Sequence, residues 1–91
     1  MPRRVLVFLQ DGCPACHDFT PRIGRLGGPY RARGLPIERI DINSPQGKAL
    51  AKRFGVDATP TTVVLRGPGS FKMVGAVDDA SISQLLAAAV R

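Results

Sequence analysis

Two neighbouring segments constrain this chain more than any other feature. The apolar run Val5-Leu6-Val7-Phe8-Leu9 is followed, after the polar break Gln10-Asp11-Gly12, by Cys13-Pro14-Ala15-Cys16-His17. A continuous apolar run of this length predicts a strand, Arg4 to Leu9, buried on both faces. The cysteine segment predicts the start of a helix. Pro14 suits the first helical turn, because no N–H is needed there and its φ is already helical. Both cysteines of the protein lie in this segment. Two thiols separated by two residues can close a small disulfide, bind a metal or anchor a haem.

The rest of the chain extends the strand-to-helix beginning. The first helix carries Cys16, Phe19 and Ile23 on one face, continued by Leu26 and Tyr30. Pro21 is expected to kink it, and Gly27-Gly28-Pro29 is a second weak point that leaves its end open. Leu35 to Ile42 reads as a second strand. Ser44-Pro45 is a cap followed by a first-position proline, predicting a helix to Phe54 that buries Leu50 and Phe54 and stops at Gly55. Thr61 to Leu65 is a third strand. The turn Arg66-Gly67-Pro68-Gly69-Ser70 then returns the chain as a fourth, Phe71 to Val74, in an antiparallel hairpin. Asp78-Asp79 can cap a last helix with the apolar stripe Ile82, Leu85, Leu86, Ala89 and Val90. The order β-α-β-α-β-β-α implies an α/β fold, a mixed four-stranded sheet covered by three helices, with the first two strands parallel. Cys13 then falls beyond the carboxyl end of a parallel strand, where ligands of such sheets gather.

Length and composition bound the possibilities. Ninety-one residues, 44% hydrophobic and 22% charged, fit one globular domain over residues 1–91. No apolar run approaches the roughly 20 residues that cross a bilayer, so no membrane association is expected. Met1-Pro2-Arg3-Arg4 precedes too short an apolar stretch for a signal peptide, so a cytoplasmic location is the expectation. In a reducing compartment a close cysteine pair reads as catalytic or metal-binding rather than structural. The net charge of +6 comes from basic residues spread along the chain, with few aromatics between them. That pattern argues against nucleic acid as a partner and for a solvated basic surface able to attract acidic proteins. A monomer is the expected state.

The chemistry of the pair follows from its place at a helix start. With Cys13 as N-cap, its sulfur sits where first-turn N–H groups and the positive end of the helix dipole favour a thiolate. Cys16, one turn inside, is expected to be more buried and less acidic. Cys13 would then attack a substrate disulfide and Cys16 would resolve the mixed disulfide. Asp11, turned toward Cys13, would disfavour the thiolate, and a protonated His17 would favour it; either side chain can equally point into solvent. Other readings of the same residues are weaker. Cys-x-x-Cys-His is also a haem-attachment signature, with Met73 conceivable as an axial ligand, but no export signal accompanies it. Cys13, Cys16 and His17 supply at most three of the four ligands of a structural zinc site, so no metal is expected. An inert pair fits poorly with a cysteine at an exposed helix end.

The element order and several separate motifs together resemble the thioredoxin/glutaredoxin superfamily along the whole chain, in its three-layer α/β/α form. The strand leading into Cys13-Pro14-Ala15-Cys16 looks like its redox site, and Thr59-Pro60-Thr61 looks like the loop whose cis proline faces the cysteines. The resemblance implies a cis Pro60, a Thr59 backbone that pairs with an extended substrate, and a substrate surface including Pro14, Ala15 and Gly75. Pro21, Asp41-Ile42-Asn43 and Val74-Gly75-Ala76 are similar to thioredoxin. Pro14 and the minimal length are similar to glutaredoxin, as is Gly75-Ala76-Val77-Asp78-Asp79, where Asp78 and Asp79 either hold a glutathione γ-glutamyl end or only cap the helix. Thioredoxins usually have an aromatic residue where this chain has Gly12, and a buried acid where it has Val7 and Phe8. The implied activity is dithiol–disulfide oxidoreduction, reducing protein disulfides, with no bound cofactor and electrons from a thioredoxin reductase or from glutathione. A glutathione-dependent glutaredoxin and a non-catalytic binding module on the same scaffold are the alternatives.

Overall fold

The computed structural model describes residues 3–91; Met1 and Pro2, part of the N-terminal stretch read above, lie outside them. The elements are β1 (Arg3–Leu9), α1 (Pro14–Ala32), β2 (Ile37–Asp41), α2 (Pro45–Phe54), β3 (Thr61–Arg66), β4 (Gly69–Val74) and α3 (Asp79–Ala89). They form one sheet of order β2-β1-β3-β4. β1 and β2 are parallel, β3 is antiparallel to β1, and β4 is antiparallel to β3. The expected α/β architecture is the one observed.

Alternation along β1 explains its continuous apolar sequence. Val5 and Val7 face a core shared with Phe19 and Ile23 of α1 and with Ile82, Leu85 and Leu86 of α3. Leu6 and Phe8 face a second core with Ala51 of α2, Val56 and Val63. A strand with helices on both sides has no solvent face along its covered length, so Val5 to Leu9 are all apolar. Among the described residues no helix is long and apolar enough to cross a membrane.

Several boundaries differ from the sequence expectation. α1 runs unbroken from Pro14 to Ala32 through both Pro21 and Pro29. The carbonyls these prolines leave without a helical partner belong to His17 and Arg25, both exposed residues, so water can satisfy them. β2 begins at Ile37 rather than Leu35, because Leu35 N–H still bonds the Tyr30 carbonyl of α1 at 3.0 Å. The expected five-residue turn is shorter, since Arg66 and Gly69 already pair across the hairpin. On α2 the fully buried residues are Gly47 and Ala51, while Leu50 and Phe54 pack at the margin of the core. Val90, placed in the α3 stripe, is 39% exposed.

The start of α2 contains a requirement that composition does not announce. Ser44 Oγ donates to the Asp41 carbonyl at 2.8 Å and accepts the Gly47 N–H at 2.9 Å, locking the end of β2 to the helix. A Cβ on Gly47 would run into the Asp41 carbonyl oxygen, with Ser44 Oγ 2.8 Å away. Both obstacles belong to the cap itself and cannot swing aside. Gly47→Ala should therefore cost about 1–3 kcal/mol, as overpacked sites do. Urea denaturation checks this through a lower midpoint at unchanged slope. Gly24→Ala in α1, where a Cβ meets nothing within 4 Å, should instead stabilise by about 0.5–1 kcal/mol.

Candidate active site

The cysteine segment begins where β1 ends. Gly12 takes a left-handed φ of 74°, a conformation that a bulky side chain resists. This turn aims the chain so that Cys13, in extended conformation, becomes the N-cap of α1. Cys13 Sγ accepts the Cys16 N–H at 3.1 Å, as a cap oxygen would. The two cysteines are joined as a disulfide with Cα atoms 5.2 Å apart, so the molecule is in its oxidised form. Cys16 is 4% exposed, whereas Cys13 is half-buried and Pro14 and Ala15 are exposed. The sulfur that a partner can approach is therefore that of Cys13.

A distant loop completes one side of the site. Thr59 Oγ1 lies 3.6 Å from Cys13 Sγ, within reach to donate to it, and the Thr59 carbonyl oxygen lies 3.7 Å away. The Thr59–Pro60 peptide bond is cis. Pro60 is buried, and its carbonyl accepts the Gly75 N–H at 2.8 Å. The loop is held further by Thr61 Oγ1, which donates to the Ala58 carbonyl at 2.7 Å. Thr59, Pro60 and Gly75 thus form one connected wall beside Cys13. The Thr59 hydroxyl was not singled out in the sequence, because nothing local indicates that its side chain turns toward a sulfur 46 residues away.

The other side is a groove of about 710 Å³. Cys13, Cys16, His17, Thr20 and Pro21 line it from the helix, Gln10, Asp11 and Gly12 from the loop, and Arg39, Ile40 and Asp41 from β2. Asp11 and His17 are both exposed at this groove, and neither makes a side-chain hydrogen bond to Cys13. Arg39 and Asp41 reach the site through the parallel register that sets Val7 beside Arg39 and Leu9 beside Asp41. Only knowledge of that register could have found them. Val7, 1% exposed, fills the α1-side core, so no β1 carboxylate underlies Cys16. Met73 packs against the same core. Among the described residues no group of three or more His, Cys, Asp and Glu is arranged to hold a metal.

Asp78 and Asp79 have definite structural partners. Asp78 is the N-cap of α3, its Oδ1 accepting the Ser81 N–H at 2.8 Å. Ser81, through its side chain first and its N–H second, holds the Asp78 carboxyl below its ordinary value. The Asp79 carboxylate receives Arg22 at 3.1 Å and Arg25 at 3.2 Å. Arg22 also reaches Asp18 at 2.9 Å and donates to the Val77 carbonyl at 2.8 Å, tying α3 to α1. A carboxyl whose folded pKa is depressed adds stability above its unfolded pKa and loses it as pH falls through the folded one. Asp78→Ala should accordingly lower Tm at neutral pH, and the gap from wild type should narrow in acid. Thermal melts across pH check this.

Comparison with known proteins agrees with the geometry. A thioredoxin-like domain family matches residues 2–89. A relative called disulfide bond formation protein, from Brevibacillus choshinensis, is 31% identical over 78 residues, or 85% of this chain, which spans 64% of that relative's length. Thioredoxin from Fasciola hepatica superposes with a TM-score of 0.79 at 18% identity, covering 97% of this chain and 81% of its own. Oxidised mitochondrial thioredoxin 3 from Saccharomyces cerevisiae superposes with a TM-score of 0.79 at 21% identity, covering 94% and 77%. The strand-to-helix cysteine pair facing Thr59–Pro60 and the match along nearly the whole sequence lead to one conclusion: the chain belongs to the thioredoxin-like family.

Proposed function

We propose that this protein reduces disulfide bonds of protein substrates by thiol–disulfide exchange at Cys13 and Cys16. The observation that carries this reading is the asymmetry of the pair, an approachable Cys13 sulfur hydrogen-bonded by a helix N–H above a buried Cys16. In the reduced protein the Cys16 N–H and the helix N-terminus stabilise a Cys13 thiolate. The thiolate attacks one sulfur of a substrate disulfide. A Cys13–substrate disulfide forms, and the other substrate sulfur leaves as a thiolate that takes up a proton. Cys16, deprotonated, then attacks Cys13 Sγ and expels the second substrate sulfur. Two electrons have passed to the substrate, leaving the Cys13–Cys16 disulfide.

Thr59 supports substrate positioning, since its backbone N–H makes no hydrogen bond among the described residues and can pair with an extended segment. Pro14, Ala15, Pro60 and Gly75 flank that path. Asp11 and His17, at the groove, are the groups that can modulate the thiolate. A thioredoxin reductase or glutathione would return the two electrons, and the reading includes a cytoplasmic monomer.

The name of the Brevibacillus choshinensis relative favours a second reading, in which the same pair donates its disulfide instead. Equilibration in glutathione buffers, with insulin reduction and oxidative refolding of a reduced protein as paired assays, separates the two. A potential near about −270 mV with rapid insulin reduction supports the reductase, whereas a value near about −120 mV with efficient oxidation supports the oxidant.

A further inference from the structure

The strands of this fold run between two ends of the molecule, and charge is spread unevenly between them, although Arg39 lies with the aspartates at the cysteine groove. At the cysteine end every strand carries an aspartate at or near its terminus: Asp11 after β1, Asp41 closing β2, Asp57 before β3 and Asp78 after β4. At the far end Arg3 opens β1, Arg31 and Arg33 lie where α1 ends, and Arg66 closes β3. Glu38, the acid nearest that end, is taken by Arg4 through bonds of 2.7 and 3.1 Å. Among the described residues no aspartate or glutamate side chain pairs with Arg3, Arg31, Arg33 or Arg66.

The arginines do not simply disperse into solvent. Arg3 and Arg66 stand directly opposite each other in the antiparallel β1–β3 ladder, an arrangement that costs stability between like charges. Arg3 donates to the Val90 carbonyl at 2.7 Å and Arg66 donates to the Arg91 carbonyl. Main-chain oxygens just past the end of α3 thus gather both guanidiniums. Each guanidinium has five N–H donors, so most stay free for a ligand. Beside them lies a hollow of about 440 Å³ lined by Arg3, Arg33, Gly34, Leu35 and Val90. Leu35 is 5% exposed and Val90 39%, giving the hollow apolar surface between cations.

We infer that this arginine end is a docking surface for an acidic polypeptide segment with an apolar side chain among its carboxylates. The apolar side chain fills the hollow against Leu35 and Val90. Its neighbouring carboxylates take the guanidiniums of Arg3, Arg33 and Arg66, which suit carboxylates geometrically. Among the described residues no aromatic side chain lines the hollow, so a nucleic-acid base finds none there to stack on. A partner held this way leaves Cys13 open to substrate, about 20 Å away by the seven-residue length of β1.

The test is fluorescence anisotropy with the full chain and a fluorescein-labelled peptide of glutamates around a central leucine. Binding should weaken with salt and fall by about tenfold or more in Arg33→Glu, the scale of opposing like charges at an interface. Arg33→Ala should give a smaller loss, and replacing the peptide's leucine by serine should also weaken binding. Insulin reduction by both variants should match wild type, which separates this surface from the cysteine chemistry. Unchanged peptide binding in Arg33→Glu and Arg3→Glu would overturn the inference. So would equal binding of the serine peptide, or tighter binding of a single-stranded oligonucleotide of the same charge.

Discussion

Cys13→Ser protein is expected to reduce an insulin-type substrate no faster than the uncatalysed reaction, while Cys16→Ser protein accumulates a trapped mixed disulfide. The two variants differ because the fold gives the sulfurs unequal positions. Cys13 Sγ is half-buried at a helix N-cap, held by the Cys16 N–H at 3.1 Å, so a serine there leaves the hydrogen bond but removes the nucleophile. A serine hydroxyl stays protonated at neutral pH and cannot displace a thiolate. Cys16 is 4% exposed, and in the proposed mechanism it acts only after Cys13 has formed its mixed disulfide, so its loss should leave the first step and block the second. Non-reducing mass spectrometry of the Cys16→Ser protein after exposure to substrate should show one added substrate chain. Full insulin reduction by Cys13→Ser protein would refute the assignment of the nucleophile, and no adduct on Cys16→Ser would refute the order of attack.

Phe8→Ala should be the most damaging core substitution near the site. Phe8 is fully buried in the α2-side core with Leu6, Ala51, Val56 and Val63. Emptying such a site costs about 3–5 kcal/mol, a large part of the roughly 5–15 kcal/mol that separates a folded domain from its unfolded chain. Its register makes the effect functional as well. Phe8 pairs with Ile40 on one side and Thr61 on the other, so it stands between the groove wall and the strand that follows Pro60. Chemical denaturation should show the lost stability. Substrate KM should rise at temperatures where the protein remains folded, because the Thr59–Pro60 wall loses its backing. A midpoint within error of wild type would show that the core closes over the missing ring.

Much of the fold was legible because its signals are local. Ser44 before Pro45 and Asp78 before Asp79 each capped the helix they preceded, and both side chains accept first-turn N–H groups in the structure. Gly55, in left-handed conformation at φ 67°, ends α2 where a residue without Cβ was required. Prolines gave the weaker guidance. Pro21 and Pro29 both fall inside α1, since the buried face of Cys16, Phe19, Ile23 and Gly27 holds the helix together while the two rings stay outside. Local propensity loses there to packing, which the sequence reports only indirectly.

By itself, then, the sequence determined the element order, the strand-to-helix placement of Cys13 and Cys16, and the two cores on either side of β1. These depend on periodicity, caps and turn residues, each readable within a few positions. Tertiary structure alone decided what surrounds the cysteines. It brought Thr59 from 46 residues away to within 3.6 Å of Cys13 Sγ, set Arg39 and Asp41 along the groove, and left Gly47 no room for a methyl group. It also gathered Arg3, Arg33 and Arg66 from distant segments at the end of the sheet away from the cysteines. Strand register and direction fix those positions. They come from the joint packing of distant segments, so no stretch of sequence contains them alone.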